Sequence, residues 1–141
     1  MARDAKISGL SGVVLNVPVL CHPDHFPQEK YELRSYEQCT GTLLHSVEMR
    51  QCWDLYVPDE KETGASPLVS LLLSDHRGLP PTHIFVAGQY PVRDEGIAYA
   101  EALQAAGVHA KLSVYGGVPH TLAEFDELET TGSFIRILWL V

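Results

Sequence analysis

The sequence predicts an α/β fold built on a parallel sheet, and three observations carry that prediction. Short runs of apolar, largely β-branched residues recur at 13–20, 83–87 and 110–115. These runs are apolar almost throughout rather than alternating, as in strands covered on both faces. Between the last two lies a stretch whose apolar positions have helical spacing. Strand, helix and strand in quick succession form a βαβ unit, and its right-handed crossover makes the two strands parallel.

In chain order, 13–20 reads V-V-L-N-V-P-V-L and is the first predicted strand, preceded by Gly12. Residues 22–30 are polar, contain two prolines and predict a loop. From about 42 to 56 the spacing is helical. Met49, Cys52, Trp53 and Tyr56 fall at i, i+3, i+4 and i+7, one apolar stripe. Such a stripe is either plain core or the wall of a binding pocket. Residues 58–66 are charged and small, and predict a surface loop.

The second strand, His83 to Ala87, follows Leu79-Pro80-Pro81. Arg93-Asp94-Glu95-Gly96 opens a helix reaching about Ala106, with Ile97, Ala100 and Leu103 on one face. Acidic residues in its first turn complement the helix dipole, and Gly107 is placed to end it in a left-handed conformation. Ala110 to Tyr115 is the third strand, closed by Gly116-Gly117. The run from Phe134 to Val141, F-I-R-I-L-W-L-V, calls for burial, or else forms a surface for self-association.

The length of 141 residues suits a single domain, 1–141. An apolar share of 45% against 20% charged reads as globular rather than disordered. The net charge of -8 argues against nucleic acid or an anionic membrane surface as partner. No apolar stretch approaches the roughly 20 residues of a membrane span. Three cysteines, Cys21, Cys39 and Cys52, with no CxxC, give no disulfide framework and point to a reducing, cytoplasmic setting. The first residues contain no apolar signal segment. Cys21-His22-Pro23-Asp24-His25 has the residue types of a metal site, but zinc needs three or four converging ligands and no second cluster accompanies it. Neither metal nor cofactor is expected.

Residues 79–125 read LPPTHIFVAGQYPVRDEGIAYAEALQAAGVHAKLSVYGGVPHTLAEF. This stretch resembles the distal half of the hormone-sensitive-lipase group of α/β-hydrolases. There a strand ends in A-G-x-D-P-L-R-D-E-G, and helix, strand and a P-H-G-F turn follow. SGVVLNVPVLCHPDHFP at 11–27 and A-S-P-L at 65–68 are similar to fungal members of that group. The resemblance implies that 13–20, 83–88 and 110–115 are the last three strands of the α/β-hydrolase sheet. It makes 28–60 a helical cap insertion walling an acyl pocket, and 83–120 a strand–helix–strand–histidine block. On that placement the earlier strands, the oxyanion loop and the nucleophile elbow are not in this chain, which would be a truncated hydrolase.

That group works by Ser-His-Asp acyl transfer, with the serine on a G-x-S-x-G elbow and an H-G-G-type loop supplying oxyanion donors. Neither motif occurs. Ser11 precedes a strand rather than following one, and Val13 stands where the elbow needs its second glycine. His120, in V-P-H-T-L, matches the group's general base, although Thr121 replaces the following glycine. The triad acid's position is held by Tyr90, whose phenol, with a reference pKa near ~10, cannot act as an anion beside an imidazolium. Asp94 matches the motif's second aspartate. It is either a weak candidate acid or, by the usual preference for Asp there, an N-terminal cap of its helix. Met49, Trp53 and Tyr56 are the candidate substrate-binding residues. The expected partner is a small acyl ester or another hydrophobic small molecule. An unpaired edge at 13–20 adds the expectation of self-association.

Overall fold

The structure, a computed structural model, describes residues 9–40 and 44–120. The apolar run 134–141 lies outside the described residues, as does the predicted start of the helix at 42. Three strands form one parallel sheet in the order β1 (Val13–Asn16), β2 (Thr82–Ala87), β3 (Ala110–Tyr115). The helices are α1 (Ser35–Gln38), α2 (Ser46–Tyr56), α3 (Glu60–Thr63) and α4 (Arg93–Ala105), with 3-10 turns at Pro23–His25 and Leu71–Leu73. Val13 and Ala110 are both in register with Thr82, so the strands start level and their C-terminal ends open toward the same side.

β1 is shorter than the predicted 13–20. Val17 has φ +41°, a left-handed conformation that costs a β-branched residue roughly 1–2 kcal/mol. Pro18, which follows, has no N–H to give a ladder. The chain makes its last bond to β2, Val17 N–H to Phe85 C=O at 2.9 Å, and turns away. Alternation along a strand read as wholly buried is visible too: Val13 and Leu15 are half-buried, while Val14 and Asn16 are exposed. β2 is the central strand, and five of its six residues are buried.

The two faces of β2 build two cores. Ile84 and Val86 pack with Leu20, Phe26, Ala100 and Leu103 beneath α4. Phe85 and Ala87 pack with Tyr36, Met49, Tyr90 and Val92 on the other face. Each fully buried side chain of the size of Ile84 or Leu103 contributes about 1.5–3 kcal/mol. The helix face differs from the predicted one. Ala100 and Leu103 are buried, but Ile97 is only half-buried, and Gly96 and Tyr99 complete the inner stripe. A Cβ on Gly96 would meet Val86 Cγ2 at 2.7 Å, so α4 starts flush against β2. The helix ends as the sequence indicates. Gly107 has φ +79°, its N–H bonds Gln104 C=O, and Val108 N–H bonds Leu103 C=O, which is a Schellman closure.

α2 opens with a capping box in which His45 N–H donates to Glu48 Oε2 at 3.0 Å. Its predicted four-residue stripe splits. Met49 and Trp53, one turn apart, face inward, whereas Cys52 and Tyr56 are exposed. Among the described residues, no helix is long and apolar enough to cross a membrane.

Candidate functional site at the C-terminal ends of the strands

The level strand ends bring two turns together. Gly88 N–H donates to Tyr115 C=O at 2.7 Å, and Gln89 N–H to Val118 C=O at 2.9 Å. This approach requires glycine, because a Cβ at 88 would lie 2.8 Å from the Tyr115 oxygen. Tyr90 follows from the first turn and His120 from the second. Their rings stack, with centroids 4.3 Å apart and planes 29° from parallel. The Tyr90 hydroxyl turns the other way and donates to Met49 Sδ at 3.7 Å. Burial, with a smaller contribution from the negative charge of Glu95, pushes the Tyr90 phenol well above its ordinary value. It therefore stays neutral. It can stack and donate a hydrogen bond, but it supplies no counter-charge.

Asp94 is occupied elsewhere. Its Oδ2 accepts from Arg34 N–H and Ser35 N–H, both at 2.7 Å, and its Oδ1 from Arg93 Nε–H at 2.7 Å. Burial pushes this carboxyl up, but Arg93 and the two backbone donors outweigh burial and hold it below the usual aspartate value. The expected cap of its own helix is thus corrected. α4 has Val92 as its N-cap with no side-chain bond, and Asp94 satisfies the first N–H groups of α1 instead. Arg93 also reaches Gly88 C=O at 3.3 Å and Gln38 Oε1 at 3.0 Å, tying turn 88 to α1. Ser35 Oγ donates to Pro91 C=O and accepts from Asp94 N–H.

Sequence reasoning missed Glu95, the most buried carboxyl of the described residues, with no exposed surface. Its Oε2 accepts from Leu20 N–H at 2.8 Å and Cys21 N–H at 3.0 Å. It thereby satisfies the chain where β1 has turned off the sheet. Burial raises its carboxyl to about 8, although both backbone donors and Tyr36 pull it down. Glutamate in a first helical turn ordinarily signals only dipole pairing, and no motif signal marks it as buried.

Met49, Trp53 and Tyr56 line one cavity of about 380 Å³, with Val19, Cys52 and Leu68. That is within the range of small-molecule pockets, and its lining is mainly apolar. A second concavity of about 300 Å³ has Lys30, Glu32, Asp94 and Glu101 in its wall, so it is polar and contains neither Tyr90 nor His120. In the segment 21–25, Cys21 is buried and its thiol is pushed up to about 12 by burial, while Asp24 pairs with Arg50 at 2.9 Å. Among the described residues, no group of three or more His, Cys, Asp or Glu could hold a metal ion. Ser11 is exposed just before β1, at the opposite end of the sheet from the turn carrying His120.

A parallel sheet backed by a crossover helix, with a histidine on the turn after β3, defines the chain as an α/β protein. The family model described as alpha/beta hydrolase fold matches residues 1–124. An AB hydrolase superfamily protein of Schizosaccharomyces pombe is 40% identical over 124 residues, covering 85% of this chain and 36% of that protein. A thermostable esterase from Pseudomonas putida superposes with a TM-score of 0.84 at 29% identity, over 96% of this chain and 42% of that one. Brefeldin A esterase, a bacterial homologue of human hormone-sensitive lipase, gives 0.81 at 27% identity, over 96% and 40%. The chain belongs to the hormone-sensitive-lipase-like group of the α/β-hydrolase fold family and is related to carboxylic ester hydrolases. It spans well under half the length of these relatives.

Proposed function

We propose that this chain is a non-hydrolysing relative of the small-acyl-ester hydrolases, inactive alone, whose cavity holds an acyl ester or another hydrophobic small molecule. One observation carries the reading: a neutral phenol, Tyr90, is stacked on His120 with its hydroxyl turned to Met49. Acyl transfer by a serine triad needs an anion to orient and stabilise the imidazolium, and a phenol whose ionisation is pushed up cannot become one. Asp94 remains the weak alternative acid. To serve, it would have to leave Arg93 and the two backbone donors. The sequence contains no G-x-S-x-G and no H-G-G to supply a nucleophile or oxyanion donors. In this reading His120 occupies the position of the family base, 28–60 is the cap insertion, and Met49, Trp53 and Tyr56 hold the ligand. Hydrolysis of short p-nitrophenyl esters should not exceed that of a His120→Ala control. Turnover lost in His120→Ala or in Ser11→Ala would sink the proposal.

A second reading is an interaction module. Among the described residues β1 is an outer strand of the sheet, paired only with β2, and an edge of this kind recruits another strand from a second copy or a partner chain. A concentration-independent monomer in analytical ultracentrifugation would count against it. A cytoplasmic site of action is supported by three free thiols, Cys21, Cys39 and Cys52. Export of the tagged chain from cells would overturn that assignment.

A further inference from the structure

The apolar cavity beside α2 is open at its mouth. It measures about 380 Å³, and Val19, Met49, Cys52, Trp53, Leu68 and Leu71 stand in its wall. Around the opening Val19, Tyr56 and Leu68 are 40%, 69% and 70% exposed. Single apolar side chains on a surface are ordinary, but three at the mouth of one apolar cavity mark a surface that something covers. The far end of the described chain comes close to it. His120 stacks on Tyr90 at 4.3 Å, Tyr90 Oη donates to Met49 Sδ at 3.7 Å, and Met49 is part of the cavity wall. Residue 120 is thus joined to the cavity by a short run of direct side-chain contacts.

We propose that residues 134–141 of this same chain cover the cavity, with Ile135, Ile137, Trp139 and Val141 turned into it. The run F-I-R-I-L-W-L-V has one charge in eight residues. At the two-residue period of an extended chain those four fall on one side, wholly apolar, and Arg136 falls on the other with Phe134, Leu138 and Leu140. The link suits the docking as well. Thirteen residues, 121–133, join His120 to Phe134, and the four acids among them, Glu124, Asp126, Glu127 and Glu129, favour solvent over the cavity. A link of this length spans roughly 20 Å as a relaxed coil and about 40 Å at full stretch, enough to cross the contacts between residue 120 and the cavity wall. Tethering presents the run at an effective concentration on the order of millimolar, so a weak intrinsic affinity suffices to keep the mouth covered. A second copy brings its own run only at bulk concentration, which disfavours exchange between chains in dilute solution. The docking needs the apolar wall alone. It therefore stands apart from the acyl-ester reading, in which a ligand competes with the run for the same wall.

The test uses Cys52, the exposed thiol in the cavity wall, while the buried Cys21 and Cys39 do not compete. Cysteine is introduced singly as Ile135→Cys, Ile137→Cys, Trp139→Cys and Val141→Cys, with Glu127→Cys in the link as the reference. Mild oxidation is then followed in dilute, ligand-free protein. A disulfide forms only where the Cα atoms come within about 4.4–6.8 Å. Expected is an intrachain bridge to Cys52 at one or more of the four positions, severalfold faster than at Glu127→Cys. Leu68→Glu, a change at an exposed position, puts a charge in the mouth and should slow that bridge severalfold. In the chain with its natural cysteines alone, Leu68→Glu should speed chymotryptic cleavage within 134–140 severalfold. No intrachain bridge, equal rates at all five positions, or cleavage unaffected by Leu68→Glu overturns the proposal. Bridging only between chains overturns it too, and assigns the cavity to a second copy's run.

Discussion

Two adjoining regions, the turn 88–92 and the first turn of α4 at 93–96, put their polar groups to opposite uses. In the helix turn both carboxylates are committed to architecture. Asp94 holds the start of α1, and Glu95 holds the chain where it leaves β1. In the preceding turn the side chain that faces the histidine is a phenol, held by stacking and by a sulfur contact. Neighbouring positions in one motif are therefore bound by different constraints. Residues 94 and 95 keep the loops in place, whereas residue 90 answers to the histidine beside it.

Mutation sharpens the contrast, and the largest effect should come from the helix turn. Glu95→Ala strands two buried N–H groups, each worth about 1–3 kcal/mol when left unsatisfied. A loss of roughly 2–5 kcal/mol is expected in urea unfolding, and a loss below ~1 kcal/mol would mean that water replaces the carboxylate. Asp94→Asn keeps the shape but weakens three charge-assisted bonds, so about 1–2 kcal/mol should go at neutral pH. Its carboxyl is held below the ordinary value, so that stability is present above the unfolded-state value and is lost as pH falls through the folded one. The gap between wild type and variant should therefore close in acid. Tyr90→Phe removes only the contact to Met49 and should cost less than ~1 kcal/mol, leaving the stack intact. A larger loss would show that the turn depends on that hydroxyl.

The pH dependence of Glu95 runs the other way from that of Asp94. Its folded value is about 8 against an ordinary 4.5. Between these values the unfolded chain has lost the proton and the folded one retains it. Stability from this group is complete below the ordinary value and declines as pH rises, levelling off above the folded value. A melting-temperature profile of Glu95→Gln should be flatter than wild type from about pH 5 to 8. Equal slopes in the two would place the titrating group elsewhere.

Much of the fold was legible in the sequence because its signals are local. Apolar runs marked β2 and β3 almost to the residue, and Gly107 marked the end of α4. β1 was read too long because a run of valines outweighed one backbone angle, at Val17, that no propensity scale contains. The α2 stripe was legible as a period, but only tertiary packing decides that Met49 and Trp53 go inward while Cys52 and Tyr56 face solvent. At the site, the meeting of Tyr90 and His120 followed from the strand order. What could not be read was where Asp94 and Glu95 point, because their partners are backbone N–H groups some sixty to seventy-five positions away in sequence.

The close approach at Gly88 has a consequence for how such a protein can change over generations. The seam between turns 88–89 and 115–118 is made by backbone atoms alone. Its geometry is therefore indifferent to the identity of residue 90, two positions on. A carboxylate there can drift to a phenol without disturbing the seam, and the histidine stays where it was. In the backbone seam, position 90 is open to exchange while position 88 is closed to it.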